Sequence, residues 1–218
     1  MSGGDTSESW RDSYTRVRKD PFAEVEATNR ARLERLGVDR LEPGARVLDV
    51  GAGDGNLARS LTGLGLTDVV GVEYQPELLA LHPNRRSTAA GSATALPFPT
   101  ASVDAVVVMD VLHHVALVEL PDALAEVRRV LRPGGSFFVC EPAQTTTRRV
   151  LDAALHSPLH RLTRFSRDKR AMVDAEGQTF VDWLGAEHGF PTAVRSAGFD
   201  LELFERKWLH HFGRWRRP

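Results

Sequence analysis

The run Val47-Leu48-Asp49-Val50-Gly51-Ala52-Gly53-Asp54-Gly55 decides the fold of this chain. A short apolar stretch ends in glycines at every second position, and a helix-forming stretch follows at 56–61. Strand, glycine turn and helix in that order make a ligand-binding corner, because a residue without Cβ lets the backbone approach a ligand closely. A second apolar run, Asp68-Val69-Val70-Gly71-Val72-Glu73, ends in an acid 22 residues after Gly51. In a βαβ unit that is where the second strand presents a carboxylate to a ribose diol.

The turn also constrains the nucleotide. A dinucleotide fingerprint spaces its glycines G-x-G-x-x-G and seats a pyrophosphate on the helix N-terminus. Here the third place of that pattern is Asn56, and glycine falls one residue early, at Gly55. Asp49 and Asp54 flank the turn, and a carboxylate pair suits a cation better than a pyrophosphate. A phosphate-free nucleoside with an ammonium and a sulfonium, such as S-adenosylmethionine, fits this corner.

Five ordered motifs then resemble one family: VLDVGAGDG at the first strand, VVGVE at the second, GSATALPF before the fourth, VDAVVVMDVLHHV through it, and LRPGG before the fifth. They span residues 41–141, under half of the chain. The chain is similar to class I S-adenosylmethionine-dependent methyltransferases of the small-molecule type. That resemblance implies an α/β, Rossmann-like three-layer sandwich whose seven-stranded sheet is mostly parallel, with the last strands antiparallel.

Periodicity agrees with alternating strands and helices. Helical spacing runs over 8–36, with Pro21 opening the longer helix and Gly37 ending it. Strands are expected at 46–50, 68–73, 87–90, 103–109 and 136–141. A helix with an apolar stripe fills 120–131 and stops at Pro133-Gly134-Gly135. Residues 142–188 break the alternation with helices but no strand, as a binding wall or lid does. A last helix at 189–198 and strands at 199–208 and 210–215 close the chain. A single domain is expected: N-terminal helices at 1–37, a cofactor-binding core at 38–141, a substrate-binding insertion at 142–188, and a C-terminal helix and strands at 189–218.

The 218 residues suffice for a sizeable core, and 28 basic against 29 acidic residues set up no global field toward nucleic acid or an anionic membrane. Arginines do bunch in the last third, among them Arg148, Arg149, Arg214, Arg216 and Arg217; solvated faces are the plain reading. One cysteine, Cys140, lies in an apolar run and is expected in the core. It allows no intrachain disulfide, which fits a reducing cytoplasm. No stretch approaches the ~20 apolar residues of a membrane span, and the polar start is unlike a signal peptide.

From the resemblance, the backbone of Gly51, Ala52, Gly53 and Gly55 floors the methionine half of the cofactor. Asp49 holds the turn or accepts from the ammonium. Glu73 takes both ribose hydroxyls, since two carboxylate oxygens match two donors. Tyr74 lies against the adenine. Ser92 stands where the family usually carries an aspartate for the adenine amino group, so Ser92 with Ala93 is a shorter-reaching substitute. Asp110 lines the methyl-donor pocket, acts as a base, or caps the next segment. Methyl transfer is an in-line displacement that proximity accelerates, and a base helps where the acceptor is a hydroxyl. His113 and His114 follow the fourth strand and are candidate catalytic residues, although the pair is often structural in relatives. His156 and His160 lie four apart, without an H-E-x-x-H pattern or a clustered acid, so no metal is expected. His210 and His211 are expected at the surface or a sheet edge. Trp10 and Tyr14 are spaced to fold a helix over the cofactor or pack on the sheet's helices. Phe165, Trp183, Phe190 and Trp208 form a substrate wall or belong to the core.

The leading expectation is methyl transfer from S-adenosylmethionine to the oxygen, nitrogen or carbon of a small metabolite. The alternatives are a cofactor-binding enzyme that does not methylate, such as a cyclase, and an RNA methyltransferase. Nucleic acid is disfavoured by the charge balance and by the lack of an N-P-P-Y-type motif after the fourth strand. Partners are a small-molecule substrate and no membrane, with a homodimer left open.

Overall fold

A computed structural model describes residues 21–83, 85–157, 170, 174 and 176–218. In chain order the elements are α1 (Pro21–Leu36), β1 (Arg46–Val50), α2 (Asn56–Gly63), β2 (Asp68–Glu73), α3 (Pro76–Leu81), β3 (Thr88–Ala90) and β4 (Val103–Met109). There follow α4 (Leu120–Val130), β5 (Leu131–Pro142), α5 (Thr146–His156), α6 (Gly177–Ala186), α7 (Phe190–Ser196), β6 (Asp200–Lys207) and β7 (His210–Arg216). The seven strands form one sheet in the order β3-β2-β1-β4-β5-β7-β6. Strands β1 to β5 run parallel, and β7 pairs antiparallel with both β5 and β6. This is the expected Rossmann-like sandwich, with its strand order reversing at β1 and β4. In such sheets the ligand crevice opens at the carboxyl ends of the strands beside that reversal.

Alternation along each strand builds two cores. Leu48, Val70, Val106 and Phe137 face one layer with Leu124, Val127, Val194 and Trp215. Val47, Ala105, Val107 and Phe138 face the other, under Leu33 and Leu36 of α1 and Leu57 and Leu61 of α2. Both faces are covered, so these strands read as nearly continuous apolar runs. Cys140 lies in the second core, where burial pushes its thiol well up, as suits a packing residue. Trp183 and Phe190 are core residues, while Trp208 is exposed in the turn between β6 and β7. Trp10, Tyr14, His160 and Phe165 lie outside the described residues.

The start of β5 differs from expectation for a local reason. β5 begins at Leu131, directly after α4, and its register against β4 jumps from Val103↔Leu131 to Ala105↔Ser136. Arg132-Pro133-Gly134-Gly135 therefore bulges within the strand instead of ending a helix. A Cβ at Gly135 would come within 2.9 Å of the Asp104 carbonyl, so the bulge needs glycine there. The C-terminal arginines are structural staples. Arg214 and Arg216 pair with Glu202 at 3.0 and 2.5 Å, and Arg148 donates to the carbonyls of Ala143 and Leu209. Among the described residues, no helix is long and apolar enough to cross a membrane.

Candidate active site

The carboxyl ends of β1, β2, β4 and β5 gather the residues that the sequence singled out. Gly51 and Ala52 both donate their amides to the Val72 carbonyl, at 2.9 and 3.0 Å, which ties the glycine turn to β2. Gly51 has φ 79°, and a Cβ there would come within 2.3 Å of Val111, so the turn closes against the segment after β4. Gly53, with φ 51°, is different: a Cβ there would meet nothing nearer than 3.9 Å. The first glycine serves close packing, and the second leaves space above the turn.

Two carboxylates stand at this turn in contrasting states. Glu73 is nearly buried; its Oε2 accepts from the Gly53 amide at 2.9 Å and its Oε1 from the Gln75 amide at 2.8 Å. Each oxygen keeps a second lone pair for further donors. Asp49 is fully buried, and neither of its oxygens has a hydrogen-bond partner among the described residues. Burial, then the neighbouring Glu73 charge, pushes its pKa from 3.8 up to about 7. Among the described residues, therefore, Asp49 makes no hydrogen bond that would hold the turn. Asp54 instead turns to α2, accepting from the Asn56 side chain at 2.6 Å.

The remaining cofactor candidates occupy the rim. Tyr74 is 77% exposed, beside Glu73. The Ser92 hydroxyl is engaged with Thr94, at 2.9 Å to its hydroxyl and 3.2 Å to its amide, in a tight local turn. Ala93 packs against the core.

Asp110 directly follows β4 at φ 55°, a backbone region that a side-chain-bearing residue adopts only when its surroundings impose it. Arg32 of α1 donates to it at 2.6 Å, and His210 of β7 lies 3.3 Å from its other oxygen. Burial works against the Asp110 charge, but His210 and Arg32 outweigh it and hold the carboxyl well below the usual range. Asp110 is thus an ion-paired anion and not a helix cap. Sequence reading missed Arg32 altogether and left His210 as an edge residue. The order of strands at this edge was the only signal for His210, because an antiparallel β7 must start where β4 and β5 end.

His113 and His114 occupy a turn of 3₁₀ helix at Leu112–His114. The buried Glu141 at the end of β5 organises that turn. Its Oε1 accepts from the Val111 and Leu112 amides at 2.8 Å each, and its Oε2 lies 2.8 Å from His113 Nδ1. His113 is buried; burial opposes its charge, but Glu141 and Glu176 prevail and push its pKa up to about 10. The His114 side chain is 54% exposed. Burial, followed by the His113 charge, lowers its pKa. Trp183 of α6 donates to the Pro142 carbonyl at 2.8 Å, and α6 packs beside this turn.

A doubly wound sheet with a glycine turn, a strand-end acid and a buried carboxylate that has no partner among the described residues is the arrangement of a ligand-binding α/β domain. Residues 48–139 match the family described as "Methyltransferase domain". A demethylmenaquinone methyltransferase from Renibacterium salmoninarum is 42% identical over 120 residues, covering 53% of this chain and 49% of that protein. A sterol 24-C-methyltransferase from Gibberella zeae is 30% identical over 181 residues, covering 78% of this chain and 42% of that protein. This chain thus spans about half the length of these curated relatives or less. The crystal structure of magnesium protoporphyrin IX methyltransferase from Synechocystis PCC 6803, with bound SAH, superposes with a TM-score of 0.66 at 16% identity, over 97% of this chain and 94% of that one. The chain belongs to the class I S-adenosylmethionine-dependent methyltransferases.

Proposed function

We propose that this protein transfers a methyl group from S-adenosylmethionine to a small-molecule acceptor. One observation carries the reading: Asp49, a buried carboxylate with no partner among the described residues, lies under a glycine turn whose middle residue leaves open space. A buried charge in that state is costly until a cation meets it. S-adenosylmethionine brings an ammonium, a ribose diol and, on its sulfonium, an electrophilic methyl group. Asp49 receives the ammonium, directly or through water, and the free lone pairs of Glu73 accept from the ribose hydroxyls. The backbone of Gly51, Ala52, Gly53 and Gly55 forms the floor, which Gly53 leaves open to the ligand. Tyr74, Ser92 and Ala93 border the adenine.

The acceptor end is formed by Asp110, His113 and His114. Asp110, held anionic by Arg32 and His210, favours positive charge near the sulfonium. Glu141 fixes the turn that carries both histidines. Holding the acceptor in line with the methyl supplies most of the rate. That the acceptor is small is supported by the menaquinone- and sterol-directed names of the relatives and by α6, which packs at this edge.

Calorimetry with S-adenosylhomocysteine tests cofactor binding, with one site per chain expected. Incubation with S-adenosylmethionine and candidate quinols, sterols or phenols is then read by mass spectrometry. A product heavier by one methylene supports transfer; absence of S-adenosylhomocysteine binding overturns the reading.

A further inference from the structure

We propose that His113, His114 and Glu176 form a binding site for a borderline divalent cation of the Zn²⁺ type. One ligand atom from each of the three residues lies within 4.8 Å of the other two. Glu176 Oε2 is 3.5 Å from His113 Nε2 and 3.8 Å from His114 Nε2. These separations are long for charge-assisted hydrogen bonds, which run at about 2.7–2.9 Å. They are close to the edge of a tetrahedron around a metal with bonds of ~2.0–2.1 Å, about 3.4 Å. By contrast, His113 Nδ1 lies 2.8 Å from Glu141, an ordinary charge-assisted distance.

That second contact points to a metal. A ligating histidine ordinarily donates its other ring N–H to a carboxylate, which fixes the ring and directs the free lone pair at the ion. Glu141 does this for His113 and also pins the turn through the Val111 and Leu112 amides, so the ring cannot swing away. Phe180 stands edge-on to His113, with ring centres 5.5 Å apart, and shields one side. The His113 and His114 rings lie 4.0 Å apart and tilted by 45°, so a small rotation of the exposed His114 closes the third edge. The ion takes the place of the proton that the flanking carboxylates hold on His113 Nε2, and that proton leaves to solvent. Three protein ligands leave a fourth position for water or a donor atom of an acceptor. No sequence spacing announces this site, since Glu176 comes from the insertion and Glu141 from β5.

The inference is independent of methyl transfer, because the ion and the nucleoside are titrated separately. Untagged, chelator-stripped full-length chain is titrated with Zn²⁺ by calorimetry and with Co²⁺ by visible absorption. One ion per chain is expected at micromolar or tighter affinity, with the intense visible bands of tetrahedral Co²⁺. His114→Ala and Glu176→Gln, both at solvent-accessible side chains, are each expected to weaken binding at least tenfold while circular dichroism stays unchanged. Absence of stoichiometric binding overturns the proposal. So does unchanged affinity in either variant, which would place the ion on other histidines. Zn²⁺ binding without S-adenosylhomocysteine binding would refute the proposed function and leave this site standing.

Discussion

The isolated Asp49 carboxylate gives the most exacting test. Its pKa is raised from 3.8 to about 7 by burial and by Glu73. Between those values the folded protein holds a proton there that the unfolded chain has released. Stability from this group is therefore present in full below the unfolded pKa and is lost as pH rises through about 7. A carboxyl whose pKa moves from 3.8 to about 7 loses on the order of 4 kcal/mol in total, over half of it between pH 5 and 8. Asp49→Asn keeps the shape and removes the titration. Urea unfolding of both proteins from pH 5 to 8 isolates the effect, because other titrating groups cancel in the difference. The variant should gain on the order of 2–3 kcal/mol on the wild type across that range. Saturating S-adenosylhomocysteine should erase the wild type's loss, since the ammonium then partners the carboxylate. The variant should bind that ligand about 100-fold more weakly, as expected when a buried ion pair loses one member. A stability difference that stays flat from pH 5 to 8, or equal ligand affinity in both proteins, would refute the reasoning.

Other perturbations probe the same edge. Gly51→Ala places a Cβ 2.3 Å from Val111 at φ 79° and should cost about 3 kcal/mol in urea unfolding; adding Val111→Ala should restore part of it in a double-mutant cycle. Glu73→Ala removes acceptors for Gly53 and Gln75 and should weaken S-adenosylhomocysteine binding by about 10- to 100-fold, measured by calorimetry. Glu141→Ala strips a fully buried acceptor from the Val111 and Leu112 amides and His113, and should lower stability by about 3–5 kcal/mol. Arg32→Ala removes one of the two partners of the partly exposed Asp110, leaving His210, and should cost only about 1 kcal/mol, diminishing further in salt.

The sequence alone determined the sandwich and pointed to a cofactor corner at its glycine turn. Both depend on short-range information: apolar runs of strand length, glycines where the backbone turns or must stay bare, and an acid at a fixed distance along one βαβ unit. Strands β1, β2 and β4 could be bounded to the residue because continuous apolar runs between polar turns leave little choice. The bulge at the start of β5 could not, because Pro-Gly-Gly reads as a turn whether it ends a helix or interrupts a strand. Tertiary structure decided how the site is wired. Arg32 and His210 reach Asp110 across 78 and 100 residues, and Glu141 reaches His113 across 28. It also left Asp49 without a partner among the described residues while giving Glu73 two backbone donors, although both acids lie near the carboxyl ends of neighbouring strands. Pairing of side chains distant in sequence depends on which strand ends share an edge, and no local pattern of residues encodes that.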